Sequence, residues 1–223
     1  MHWWSRWKYR VLLVTLLLLV VVTPILRAAS DTRLLSDVVF SLVFVAAIRA
    51  IFTQPRLRSV ALALGIPTLV GMWTGYALPD LPPTFVRGGF HTLAALFFGF
   101  TIGVILWNVY REKGVSADGI CGTFCGYVMV GLAFGHLYDL ADLLQPGSLR
   151  GEDVAATPHD RRYFLLVYFS LMTLTTVGYG DITPATDTTR ALAVTEAVIG
   201  QFYLAVLVAE LIGKRVSATQ ATP

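Results

Sequence analysis

The sequence predicts an all-α membrane protein with six transmembrane helices and one short re-entrant helix. Three observations predict it. Of 223 residues, 56% are apolar and 14% charged, and mean hydropathy is +0.67, outside the range of ordinary soluble domains. Six apolar segments approach or exceed the roughly 20 residues that cross about 30 Å of hydrocarbon. Lysine and arginine are dense in every second connection between those segments, as topology determinants are.

The segments run Val11–Ala29, Leu34–Phe52, Val60–Leu78, Gly88–Tyr110, Gly119–Leu144 and Thr188–Gly213. Between the last two, residues 149–184 hold a shorter apolar stretch, YFLLVYFSLMTL from Tyr163. A helix of that length rises only about 18 Å, too little to cross, so it reads as re-entrant. The start of the chain has a basic, then apolar character that a signal peptide shares. Arg27 is a poor residue before a cut after Ala29, and Trp3, Trp4, Trp7 and Tyr9 suit a retained interfacial anchor.

Orientation follows from the short connections. Arg6, Lys8 and Arg10 precede the first span, Arg49, Arg56 and Arg58 follow the second, Arg111 and Lys113 follow the fourth, and Lys214 and Arg215 follow the sixth. The opposite side has Arg27, Arg33 and Arg87 in its two short loops. Both termini are therefore expected in the cytoplasm of a multi-pass cell-membrane protein. The net charge of +3 is a topology signal, and no nucleic-acid partner is read from it.

Cys121 and Cys125 lie four apart on one helix face and read as packing residues. Glycines recur four apart at 71/75, 99/103, 122/126 and 131/135, a spacing that lets helices approach closely. Asp139, Asp142, Glu152, Asp153 and Asp160 read as acids of a polar outer loop that ends at Arg162, either a vestibule that concentrates cations or a solvated loop with basic residues nearby. His91, His136 and His159 stand apart in sequence, so each reads as structural.

One stretch resists any helical reading. TLTTVGYGD, residues 173–181, puts irregular backbone beside membrane segments, where unpaired peptide groups in lipid cost several kcal/mol each. Such a loop survives only buried in protein or lining a watery path. Gly178 and Gly180 permit backbone angles that turn consecutive carbonyls toward one axis, and stacked oxygens can replace the water around a bare monovalent cation.

TTVGYGD from Thr175 to Asp181 resembles the signature of the potassium-channel family. The likeness extends over YFSLMTLTTVGYGDITP and to Gly200, and it covers about residues 119–213 as outer helix, pore helix, filter and inner helix. The resemblance implies a homotetramer in which Thr176, Val177, Gly178 and Tyr179 offer carbonyls to K+, with Gly180 at the mouth of this selectivity filter. It implies that Asp181, Thr175, Tyr168 and Phe169 support the filter, Tyr168 by donating to Asp181 and Phe169 by packing on Tyr179. Some relatives carry a glutamate where this chain has Met172, so a weaker brace is implied. Gly200 is implied as an inner-helix hinge, and Gln201, Leu204, Val208 and Ile212 as the cavity stripe.

Glu196 falls about 140° round the helix from Gln201, away from the axis, and is expected to make a structural hydrogen bond to the pore helix at Ser170 or Thr173, in preference to serving as a proton-sensing gate. Asp187 is expected to cap the sixth helix.

The chain thus divides into a four-helix unit (1–113), a pore domain (114–216) and a short cytoplasmic tail (217–223). The reading is a potassium-selective channel, not an enzyme, embedded in the lipid bilayer and needing no cofactor beyond permeant K+. No regulatory ligand or partner is named by the sequence. The rivals are a nonselective cation channel, a non-conducting regulatory subunit and a subunit of a potassium-uptake transporter. The fourth span has no Lys or Arg between Arg87 and Arg111, so strong voltage gating is not expected.

Overall fold

A computed structural model describes residues 7–23, 25, 33–50, 55–77, 83–112, 114, 116–157 and 162–220. Trp3, Trp4, Arg27, His159 and Asp160 lie outside them, as do the side chains of Lys214 and Arg215 and residues 221–223 of the tail. Helices dominate: α1 (Lys8–Leu17), continued by a π-helical turn (Leu18–Val22), then α2 (Arg33–Ala50), α3 (Pro55–Ala77), α4 (Pro83–Arg111) and α5 (Ala117–Leu144). A short α6 (Glu152–Ala156), α7 (Tyr163–Leu174) and a long α8 (Asp187–Gln220) follow. The one departure from all-α among the described residues is a two-residue antiparallel ladder, β1 (Leu149–Arg150) on β2 (Thr183–Pro184).

Four helices are long and apolar enough to cross a membrane, over Leu57–Thr74, Val86–Arg111, Ala117–Leu144 and Asp187–Glu210. The first two expected spans fall short of that standard for different reasons. The α1 helix has 10 residues before it widens into the π turn, where the Thr23 hydroxyl donates to Leu18 O at 3.1 Å, five residues back. The 18-residue α2 carries Arg33, Asp37 and Arg49.

The α5 helix is the centre of the molecule, and α1, α4, α7 and α8 all pack on it. Lipid tails are as apolar as leucine, so these helices are held by close van der Waals packing more than by water exclusion. Glycine is what permits that closeness on α5. A Cβ at Gly122 would stand 2.9 Å from the Tyr9 ring, and one at Gly135 would stand 2.8 Å from Val167 Cγ2 and 3.3 Å from its Cα. Gly99 and Gly103 on α4 have nothing within 4 Å, so the same spacing there serves no contact within the chain.

An aromatic core fills the space between α2, α4 and α5. Phe44 stacks on Phe97 at 4.3 Å, and Phe40 meets Phe98 edge-on at 6.1 Å. The connection from α4 to α5 spans only residues 112–116, so the four-helix unit lies against the outer helix of its own chain.

Two sequence expectations need correction. Asp139 and Asp142 are not solvated loop acids, because α5 continues through them and buries both, to 4% and 1% exposure. Asp187 is the first residue of α8 and not its cap. Thr186 takes that place: its hydroxyl accepts from Thr189 N at 3.4 Å while Thr189 Oγ1 accepts from Thr186 N at 3.3 Å, a reciprocal box in which threonine replaces the usual acid.

These contacts set a contrast between two glycines. Gly135→Ala is expected to lower the melting temperature in detergent, by the equivalent of about 1–3 kcal/mol of overpacking, whereas Gly99→Ala leaves it unchanged. Thermal unfolding of the two variants side by side checks this.

Candidate functional site

The α7 helix is the platform of the site. Its residues are mostly apolar, and it ends as Thr175 leaves the helix at φ −84°. A helix end leaves its last four carbonyls without intrahelical donors. Here every one is engaged. Leu171 O accepts from Thr175 N (3.0 Å) and from the Thr175 hydroxyl (2.6 Å). Met172 O accepts from Val177 N (2.9 Å) and Gly178 N (3.2 Å), Thr173 O from Thr176 N (3.0 Å), and Leu174 O from the Tyr127 hydroxyl (3.0 Å).

This arrangement orients the next strand of chain. The amides of Thr176, Val177 and Gly178 point back to α7, and in a trans peptide C=O opposes N–H. The carbonyls of Thr175, Thr176 and Val177 therefore point away from the helix. Backbone hand alternates along the run, with positive φ at Thr176 (60°), Gly178 (55°) and Gly180 (82°) and not at Val177 or Tyr179. Alternation of this kind gathers successive amides on one side and leaves the oxygens on the other.

Thr176 is β-branched, and its left-handed φ is a strained conformation that glycine would take freely. The hydrogen bonds on both sides hold it there. No described residue donates to the carbonyls of Thr176, Val177, Gly178 or Tyr179, and residues 175–181 are all exposed.

Beyond the strand, the Tyr168 hydroxyl donates to Asp181 Oδ2 at 2.8 Å, and this bond raises the phenol above its ordinary value. Phe169 does not pack on Tyr179 within the chain. It is buried edge-on against Tyr138 of α5 at 4.9 Å, whereas Tyr179 stands 70% exposed. The outer loop is fastened to the far end of the run through Ser148, whose carbonyl accepts from Ala185 N and from the Thr189 hydroxyl, both at 2.8 Å. Asp142 holds the near side of that loop, accepting from Gly147 N (3.0 Å) and Ser148 N (3.2 Å) and pairing with Arg162 at 2.9 Å.

Behind α7 lies Glu196 of α8, fully buried. One carboxyl oxygen meets the Ser170 hydroxyl and the other accepts from the Tyr138 hydroxyl at 2.7 Å. Ser170 has a single proton, and its oxygen also lies 2.7 Å from Gly131 O. The network closes when Ser170 donates to Gly131 and the carboxyl donates its proton to Ser170. Of the two expected partners, Ser170 is used; Thr173 instead donates back to Phe169 O at 2.9 Å.

The α8 helix runs unbroken through Gly200. The glycine has a packing reason: a Cβ there would collide with the Leu174 carbonyl oxygen. Gln201, Leu204, Val208 and Ile212 are exposed in the single chain, but so are Val194, Phe202 and Val206, so exposure does not single out one stripe.

With this geometry established, the comparisons have a place to attach. Residues 123–216 match the family model described as Ion channel, so the match takes in the whole of α7, the irregular strand and nearly all of α8. Residues 123–216 are thus similar to an ion-channel domain. Over 53 residues the chain is 47% identical to the probable potassium channel protein 2 of Methanocaldococcus jannaschii, a stretch that is 22% of this chain. It spans only 16% of that relative's length. No solved structure matches. Similarity to an ion-channel domain points to transport.

Three features in and beside residues 123–216 escaped the sequence reading. Tyr138 and Tyr127 are hydroxyl donors on α5, and a tyrosine within an apolar helix signals only that some acceptor is near. His91 and His136 are not separate residues: their Nδ1 atoms lie 2.9 Å apart, and His91 Nε2 lies 3.1 Å from Asp139. His136 also stacks on Tyr163, the first residue of α7, at 4.4 Å.

The Glu196 network is open to a direct check. Glutamine has the shape of the protonated acid and keeps a donor for Ser170 and an acceptor for Tyr138, so Glu196→Gln is expected to retain wild-type thermal stability. Glu196→Leu strands the buried Tyr138 hydroxyl at about 1–3 kcal/mol, while Ser170 keeps its bond to Gly131, and is expected to unfold at lower temperature.

Proposed function

We propose that the chain is one subunit of a homotetrameric potassium-selective channel of the cell membrane. The observation that carries this reading is the run Thr176–Tyr179: its first three amides are tied to α7, which turns the Thr176 and Val177 carbonyls the other way, and none of its four carbonyls has a donor among the described residues. An oxygen row of that kind at membrane depth needs a polar partner, and a single row cannot enclose an ion. Four rows around an axis can. Closed rotational symmetry brings the Thr176, Val177, Gly178 and Tyr179 carbonyls into rings that replace the water around K+, with the Thr176 hydroxyl as the innermost layer and Gly180 at the outer mouth.

The apolar exposure of α8 fits the same assembly. Val194, Phe202 and Val206 are 64–68% exposed on a helix that the single chain leaves largely bare, and neighbouring subunits would cover part of that surface. In this reading α1 and α2 also cross the bilayer, completing six spans with both termini in the cytoplasm. Asp181 and Tyr168 hold the outer end of the filter, and the Glu196 network fixes the back of the pore helix.

Two expectations follow. Purified protein in liposomes is expected to pass K+ and Rb+ and to exclude Na+ by about tenfold or more, and Gly178→Ala is expected to abolish flux because alanine resists φ of +55°. Equal Na+ and K+ permeability in a bi-ionic reversal measurement rejects selectivity in favour of a nonselective pore. Absence of any flux from reconstituted protein favours a non-conducting subunit.

Opening is expected to depend weakly on voltage. Each gating charge gains about 2.3 kcal/mol per 100 mV, and steep gating takes about three or four per subunit. The α4 window from Val86 to Arg111 has its arginines only at its two ends, Arg87 and Arg111. A flat conductance–voltage relation beside robust K+ flux is the expected record; a steep one rejects it.

A further inference from the structure

We propose that Tyr127 is a positioning residue for ion selectivity, acting through the last carbonyl of the pore helix; the inference rests on the potassium-channel reading above. Leu174 is the residue from which the chain departs toward Thr175 and Thr176. Its carbonyl is the only one of the four terminal carbonyls of α7 that the filter strand itself does not engage. Leu171, Met172 and Thr173 all accept amides of residues 175–178, whereas Leu174 O accepts the Tyr127 hydroxyl at 3.0 Å.

The acceptor is buried and its donor half-buried. Leu174 is fully buried. Gly200 of α8 comes so close that any side chain there would strike the Leu174 carbonyl, and a Cβ would also stand 3.0 Å from Leu174 Cδ1. The Tyr127 ring rests against Tyr203 at 5.5 Å, and the Tyr203 hydroxyl donates to Thr123 O at 2.6 Å, one turn before Tyr127 on the same helix. Gly126 completes the seat, since a Cβ there would collide with the Tyr203 hydroxyl.

Three helices therefore converge on one oxygen. The outer helix supplies its donor, the inner helix supplies the glycine that lets it approach, and the oxygen belongs to the pore helix. Without the Tyr127 proton, the Leu174 carbonyl is buried with no donor, and the least costly relief is rotation of the Leu174–Thr175 peptide. That peptide is the first link to Thr176, the strained residue whose carbonyl opens the ion path. A shift there changes the innermost ring of oxygens before it changes anything else.

The test uses full-length protein in liposomes and planar bilayers. Tyr127→Phe keeps the ring and deletes one hydroxyl. It is expected to assemble with an unchanged melting temperature, to alter the Rb+/K+ permeability ratio, and to lose conduction about three- to tenfold faster when K+ is lowered. Gly200→Ala pushes the same carbonyl from the opposite side and is expected to produce the same change in ion preference. Wild-type protein that fails to pass K+ overturns the channel reading and this inference with it. Wild-type K+ flux with a Tyr127→Phe variant unaltered in permeability and low-K+ behaviour overturns the role of Tyr127 alone, as does a variant that changes only melting temperature. If Tyr127→Phe does not assemble, a Gly200→Ala channel with wild-type ion preference overturns the inference.

Discussion

The pairing of the α7 carbonyls with the amides that follow them is the constraint on which the remaining architecture depends. A β-branched residue does not sit at φ 60° unless its neighbours over-determine it, and Thr176 is held by its own amide on Thr173 O and by the next two amides on Met172 O. That one exchange satisfies the end of a helix, fixes the hand of the strand and sends the strand's oxygens to the opposite side. Met172 lacks the carboxyl that some potassium channels place there, yet its backbone does more for the strand than its side chain is asked to do.

The exchange works only if α7 cannot move. Each face of that helix accordingly has an anchor. Ser170 faces Gly131 of α5 and Glu196 of α8, Phe169 lies against Tyr138, Val167 is seated over Gly135, and Tyr168 reaches forward to Asp181. These are short, directional or close-packed contacts, which is what a membrane protein has available when burial from lipid contributes little. Glu196 is the most demanding of them. A carboxyl is tolerated in this setting because both its oxygens have partners and because the proton count of Ser170, Gly131 and Tyr138 closes around its protonated form.

What the sequence made legible was what is local. The bounds of α7, Tyr163–Leu174, were readable from its apolar run, and the need for left-handed backbone was readable at Gly178 and Gly180. Helical periodicity placed Glu196 toward Ser170, but it did not reach Tyr138, which lies 58 residues away on a helix whose rotation the periodicity of α8 does not set. Asp139 and Asp142 were misread because a charged residue near the end of a span looks solvated. Their burial depends on His91 and Arg162 arriving from other elements. Gly200 invited the idea of a hinge, since a glycine in a helix has no local explanation; the explanation is the Leu174 carbonyl, a tertiary neighbour.

The same logic gives α4 a physical connection to α7 that neither half of the sequence displays. The short link at residues 112–116 keeps α4 beside α5 of the same chain, and near the other end of that contact His91 of α4 meets His136 and Asp139 of α5. His136 lies within aromatic contact of Phe40, Phe90 and Phe98 and stacks on Tyr163, where α7 begins. A displacement of α4 therefore meets, in order, a polar pair, a buried ring and the first residue of the helix whose far end orients the irregular strand. Since α4 has no interior charge to feel the membrane field, whatever moves it acts by packing or polar contact, and this aromatic junction is the rigid path by which such a movement would reach α7.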